Sequence, residues 1–206
     1  QRIKSVLVLW PGHLKSHSPA KFKKEIAGVK ILDVVRRAKN VLIYLNKNKV
    51  LLIHPKMTGN LLLGELEDLK ENKHVHLIFI LSGRKALAFS DIRKFGKVVL
   101  GSKDKIIASL RVGPEPLDKH FNFTKFKGIV SGKKRSIKTV LMDQGNIAGI
   151  GNIYSDEILW LAKINPLRLV NGLNETELKH VYSHIKPLLK KAIKFRGTSI
   201  SDFKDT

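Results

Sequence analysis

The stretch of this chain best suited to chemistry is LMDQGNIAGIGNIYSDEIL, residues 141–159, in which Gly149 and Gly151 stand immediately before a segment of helical spacing. Backbone N–H groups and the positive end of that helix would face whatever approaches, and for a basic chain the natural visitor is a phosphate. Asn152 holds the place of a helix N-cap or of a phosphate ligand, and a plain corner between two helices with Asn152 as cap accounts for the same residues. The G-x-G spacing has no third glycine and no strand before it, which argues against a dinucleotide site. Metal chemistry finds little support. There is no cysteine, and the eight histidines form no HExxH pattern. His74 and His76 are spaced for one face of a strand, where packing or surface histidine is the ordinary case.

The elements that must position these groups change character along the chain. The first part carries short β-branched and aliphatic runs at Ile3 to Trp10, Val29 to Val35, Val41 to Leu45, Val50 to His54, Val75 to Leu81 and Lys85 to Phe89, punctuated by Pro11-Gly12, Asn46-Lys47-Asn48 and Ser82-Gly83. Short strands with tight turns predict an antiparallel sandwich or barrel, and Asn46 to Lys49 predicts a hairpin because asparagine tolerates positive φ. The second part predicts helices. Ser136 to Asp143 ends in Gln144-Gly145, where glycine can take a left-handed cap; Asn152 to Ala162 follows the Gly149-Ile150-Gly151 turn. A third helix starts at Asn174, with Glu177 completing a capping box and Leu178, Val181, Tyr182, Ile185, Leu188, Leu189 and Ala192 on one stripe, interrupted by a kink-prone Pro187. Gly113-Pro114-Glu115-Pro116 is the expected linker. The fold class is therefore α+β, with a β-sandwich domain over residues 1–118 and a helical domain over 119–206.

Charge narrows the partner. Across 206 residues, 39 Lys and Arg face 17 Asp and Glu, a formal +22, while 43% hydrophobic content supports a packed core and excludes a disordered basic tail. Residues 1–118 hold 23 basic and 10 acidic side chains (+13), and 119–206 hold 16 and 7 (+9), so both halves are expected to face a polyanion. The basic residues are scattered over every kind of element instead of lining one amphipathic helix, which favours nucleic acid over a membrane surface. No apolar run is long enough to span a bilayer, and the expectation is a soluble intracellular protein.

Five motifs in order along the chain, RRAK, HPKMTGNL, SDIRKFG, GPEPL and GNIYSDEILWLAKINPLR, resemble the formamidopyrimidine-DNA glycosylase and endonuclease VIII family over nearly the whole length. The resemblance implies base-excision repair: a bifunctional DNA glycosylase and abasic-site lyase with an antiparallel β-sandwich followed by a helix-two-turn-helix domain, acting as a monomer on damaged double-stranded DNA in the cytoplasm, at the nucleoid. It also implies roles. Lys39 would contact the phosphate beside the lesion and assist strand cleavage. His54 would bind backbone phosphate. Met57, Arg93 and Phe95 would fill the space left by an extruded base, the arginine pairing with the orphaned base and the phenylalanine wedging between base pairs. Asn152 would hold phosphates, beside the Gly149 and Gly151 turn read above as a phosphate site. A base inside a duplex cannot reach catalytic groups unless it is flipped, and apolar wedges offset the unstacking cost.

Two departures qualify the resemblance. The family's nucleophile is an amino-terminal proline in a PELPE start, assisted by a glutamate, whereas this sequence begins at Gln1 in an expected strand; at the other end it reads GTSISDFKDT where the family goes on to a four-cysteine zinc finger. The expectation is an incomplete copy with no cofactor of its own, no base excision as given, and at most slow lyase activity on abasic DNA through Lys39. A rival of another class is a damaged-DNA-binding protein that keeps only wedge and phosphate contacts. Near Arg36 and Arg37, the Lys39 ammonium is expected to have a lowered pKa.

Overall fold

Short apolar runs in the first part of the chain build two four-stranded antiparallel sheets. The computed structural model describes residues 1–195 and Gly197; the rest of the GTSISDFKDT segment lies outside the described residues. In chain order the strands are β1 (Ile3–Val8), β2 (Ile31–Arg37), β3 (Asn40–Leu45), β4 (Lys49–His54), β5 (Gly59–Gly64), β6 (Val75–Leu81), β7 (Ala86–Asp91) and β8 (Lys97–Ser102). One sheet has the order β1-β6-β7-β5 and the other β2-β3-β4-β8. Ile43, Leu45, Leu51 and Ile53 from one sheet meet Leu77, Phe79, Leu81 and Phe89 from the other in a shared core.

Strands of this unit read as almost continuous apolar runs because their outer faces are covered too. Helix α1 (Pro19–Ile26) inserts Phe22 and Ile26 into the shared core. Helix α2 (Leu66–Glu71) lays Leu69 over Ile78 and Ala88, and α3 (Lys103–Ser109) lays Ile106 over Leu42, Val50 and Leu52. The sandwich expectation holds, with two strands and three helices that the sequence pattern did not reveal. β5 is a Leu-Leu-Leu run between two glycines, and its alternation is carried by burial alone: Leu61 joins the shared core, Leu62 packs under α2, and Leu63 is exposed. β1 stops at Val8 because Leu9 and Trp10 both donate to the His76 carbonyl instead of continuing the ladder. The expected hairpin pairs Leu45 with Lys49, and both Lys47 and Asn48 take left-handed conformations.

A second compact unit begins at Arg111. It contains α4 (Phe123–Val130), α5 (Ile137–Met142), α6 (Asn152–Leu161) and α7 (Glu175–Lys194). Their buried faces, with Ile147 and Ile150 from the α5–α6 loop, form one core. The Asn174 and Glu177 capping box is present in both directions, and α7 carries Pro187 in its interior. Two expectations change. The Gly113–Pro116 segment is no free linker: the Gly113 N–H donates to the Gln144 carbonyl (2.8 Å) and the Pro114 carbonyl accepts from Ala148 (3.0 Å), so it folds with the helices. Helix α5 ends at Asp143 in extended backbone, with Gly145 N–H held by the Asp143 carboxylate (3.0 Å), and Gly145 is absent from the left-handed residues.

Candidate functional site

In the first unit, two loops cross from one sheet to the other. The β4–β5 loop carries Met57 and the β7–β8 loop carries Arg93 and Phe95. All three side chains stand in solvent, Met57 73% and Phe95 54% exposed, a large apolar surface for two loop residues to display. They touch one another: Arg93 Nη1 lies 3.0 Å from Met57 Sδ, and the guanidinium carbon sits 4.8 Å over the Phe95 ring centroid. The structure thus brings together the three residues expected to act as a wedge.

What fixes these loops is a carboxylate at their base. Asp91 is fully buried; its Oδ1 accepts from the Thr58 hydroxyl on one loop and its Oδ2 from the Gly96 N–H (2.7 Å) on the other. Thr58 Oγ1 in turn accepts from the Arg93 N–H (3.1 Å). Burial by itself pushes the Asp91 carboxyl up, but the bonds from Thr58 and Gly96, helped by His13 and the Arg93 amide, outweigh it and leave the group below the ordinary carboxylate range. A Cβ at Gly96 would lie 2.4 Å from the Phe89 ring, so only glycine lets the chain pass beside Asp91. Beneath sits a layer of rings. Trp10, His76 and Phe89 surround His13 at centroid distances of 4.6, 5.0 and 4.9 Å. His13 donates Nδ1–H to the Gly96 carbonyl (2.9 Å), and burial holds its pKa below the usual histidine value. His76 Nε2 bonds the Asp91 carbonyl (3.0 Å), which makes it a packing residue, in line with the ordinary reading.

Lys39 and His54 lie in the same unit. Lys39 occupies the β2–β3 turn beside Ala38, and His54 ends β4 opposite Lys97. The Lys39 ammonium is half-buried, and its pKa is lowered first by burial and then by Lys56, the cause that replaces the expected Arg36 and Arg37. His54 is lowered by burial, then by Lys56, with smaller contributions from Lys39 and Lys97. Its Nδ1 accepts the Lys56 N–H (3.0 Å), so the neutral ring carries its proton on Nε2 and can donate it to an anion. Ala38, Lys56 and Lys94 all have positive φ (52°, 60° and 58°), and each adjoins a site residue. Left-handed backbone at non-glycine residues costs energy and gathers at functional loops.

In the second unit the expected phosphate site changes in detail. Gly149 has φ +90°, a conformation that favours glycine, but its N–H is already donated to Gln144 Oε1 (2.9 Å) and does not face outward. Gln144 Nε2 donates to the carbonyls of Met142 and Ile150 (2.8 and 2.7 Å), so one amide side chain braces the whole turn. The N-cap of α6 is Gly151, with no side-chain cap, and Asn152 is the first helical residue. The first turn of α6 therefore has free N–H groups, no acidic residue, and an exposed Asn152 side chain. That is an anion-binding arrangement. Among the described residues no three His, Asp or Glu side chains are placed to hold a metal ion, and no helix is long and apolar enough to cross a membrane.

The sequence reading gave no role to Asp91, Thr58, Gly96, His13 or Gln144. One signal was available for Asp91: an acid joining an apolar run to the basic turn Ile92 to Lys94, in a chain poor in acids. His13 and Thr58 carry no such signal, since their partners are 83 and 33 positions away.

Residues 1–98 match the formamidopyrimidine-DNA glycosylase N-terminal domain family, and residues 112–204 match the formamidopyrimidine-DNA glycosylase H2TH domain family. A formamidopyrimidine-DNA glycosylase of Herpetosiphon aurantiacus is 40% identical over 95% of this chain and 72% of its own length; one of Moorella thermoacetica is 38% identical over 100% and 76%. The structure of Lactococcus lactis Fpg with DNA containing FAPY-dG has a TM-score of 0.90 and 33% identity, covering 100% of this chain and 78% of that one. The same enzyme with abasic-site DNA gives 0.89 and 34%, covering 97% and 74%. With both domains matched and relatives at 38–40% identity over nearly the whole chain, the chain belongs to the formamidopyrimidine-DNA glycosylase family of DNA repair proteins.

Proposed function

We propose that this chain is the DNA-binding body of a base-excision enzyme that recognises an oxidised base by flipping it and then cleaves the strand at the abasic site. The observation that carries the reading is the exposed group of Met57, Arg93 and Phe95, anchored on one buried carboxylate. Surface apolar side chains do not need such support; a wedge that must enter a base stack without folding back does. Arg93, in contact with both neighbours, would meet the base left without a partner. Neutral His54 and the first turn of α6 would grip phosphates. Damaged duplex DNA is the partner, in keeping with the FAPY-dG and abasic-site DNA held by the Lactococcus lactis protein, and a cytoplasmic, nucleoid-associated location belongs to the same reading.

Lys39 supplies the chemistry within these residues. A lowered ammonium pKa leaves more neutral amine, and a neutral amine can attack the C1′ aldehyde of an abasic site. The nitrogen–carbon bond forms, water leaves, and the resulting imine acidifies the 2′ proton; its removal expels the 3′ phosphate, which is β-elimination. The test compares affinities for abasic and intact duplex in the native and Phe95→Ala proteins. A wedge loses abasic affinity by roughly tenfold and intact-duplex affinity hardly at all, with an unchanged melting temperature. Equal losses on both DNAs, or lost stability, would refute the wedge.

A further inference from the structure

The chain has two methionines, and they differ in surroundings. Met142 is partly buried on α5, whereas Met57 is 73% exposed and its sulfur lies 3.0 Å from the Arg93 guanidinium. A thioether is a weak acceptor, so in the reduced protein this contact is loose and both side chains remain available for binding. One added oxygen changes that balance. A sulfoxide is polar and a far stronger acceptor, and here a guanidinium already stands within reach of it.

We propose that Met57 is a reversible oxidation site for hydrogen peroxide and small organic hydroperoxides, and that Arg93 captures the product and disables the wedge. The Sδ lone pair attacks one peroxide oxygen; the S–O bond forms as the O–O bond breaks. Sulfur gives up two electrons, and the departing oxygen leaves as hydroxide from hydrogen peroxide or as alkoxide from an organic hydroperoxide, takes the proton that came across on the transferred oxygen, and ends as water or an alcohol. The Met57 sulfoxide oxygen then accepts from Arg93 Nη1. Two consequences follow together: the tip that would enter the base stack becomes polar, and the arginine that would meet the orphaned base is held back. Thiol-driven sulfoxide reduction reverses the step.

The inference rests on the wedge reading for its consequence, though not for its chemistry, and the experiment separates them. The whole chain is treated with graded hydrogen peroxide, mapped by peptide mass, and titrated with abasic and intact duplex. Met57 is expected to gain oxygen well ahead of Met142, abasic affinity to fall about tenfold as an apolar insertion is lost, intact-duplex affinity to hold, and a methionine sulfoxide reductase to restore the starting value. A Met142→Leu protein should respond to peroxide as the native protein does, and a Met57→Leu protein, whatever its starting affinity, should not respond. Oxidation of Met142 alongside Met57, or undiminished abasic binding by the Met57 sulfoxide, would overturn the proposal. If the untreated protein shows no abasic preference, the wedge reading fails by itself. Capture is then judged by the Arg93 side-chain N–H resonance, which should shift and exchange more slowly with water after oxidation; an unmoved resonance rejects it.

Discussion

The β4–β5 and β7–β8 loops of the sandwich and the α5–α6 turn of the helical unit present their candidate binding groups by opposite means. On the loops the functional groups are side chains, and the backbone serves to hold them out: Asp91 spends its acceptors on Thr58 and Gly96 so that Met57, Arg93 and Phe95 can stay exposed. In the turn the functional groups are backbone N–H donors, and a side chain serves the backbone: Gln144 spends its amide on Met142, Ile150 and Gly149 so that the start of α6 stays open. The lesson is that in both places a polar side chain beneath the surface decides which groups above it are left exposed. Phosphate is common to every nucleotide, so uniform backbone donors suffice for it; a missing base needs a shaped, partly apolar object.

Removing the support is the hardest blow to that contrast. Asp91→Ala leaves the partly buried Thr58 hydroxyl and the buried Gly96 N–H without their acceptor and should cost about 3 kcal/mol of stability, read by thermal or urea unfolding. Abasic preference should vanish with it, whereas Gln144→Ala should weaken binding to both DNAs. A stable Asp91→Ala protein with intact abasic preference would dissolve the distinction.

Chemistry gives the next largest effect. Lys39→Ala should abolish the adduct that borohydride traps between the 206-residue chain and abasic DNA, while affinity falls only a few-fold, as expected for one phosphate contact. Trapping that survives the substitution would mean that another amine attacks.

On the helical side, Asn152→Ala should weaken abasic and intact duplex alike by about 1 kcal/mol and flatten the salt dependence by about one phosphate. Selective loss on abasic DNA would make the turn a lesion reader and erase the difference between the two regions.

Acid should loosen the sandwich loops through His13 and His54. Both have folded pKa values below the ordinary 6.5, so the unfolded chain takes up protons more readily, and their contribution is complete above that value and is lost as pH falls below it. Asp91, held below 3.8, adds a second loss only at much lower pH. Melting temperature followed from pH 7.5 to 5 should decline, and His13→Asn, which keeps a donor for the Gly96 carbonyl without a titrating ring, should flatten the decline.

The smallest effect concerns backbone strain. Lys94→Gly relieves a left-handed residue and should stabilise by at most about 1 kcal/mol, offset in part by added freedom of the unfolded chain. A destabilised Lys94→Gly protein would show that the 5.3 Å contact between the Lys94 ammonium and the Trp10 ring outweighs the strain.

By itself the sequence determined the class of the fold, and its motifs singled out Met57, Arg93 and Phe95 as candidates. The two short apolar runs in Val41 to His54, the Asn174 and Glu177 capping box and the Lys47–Asn48 turn are local, governed by the composition of the run or by bonds three residues apart, and each is found where its pattern places it. Met57, Arg93 and Phe95 were legible because their motifs are contiguous. Only the tertiary structure decided what supports them and which donors are free. Asp91 gains its meaning from Thr58, 33 positions away, and His13 from Gly96, 83 positions away. Gly149 loses its outward N–H to a glutamine whose side chain could have turned to solvent. Lys39 owes its lowered pKa to burial and to Lys56 instead of its chain neighbours. Burial and long-range hydrogen bonds depend on how strands of two sheets are stacked, and no periodicity along one strand encodes that distance.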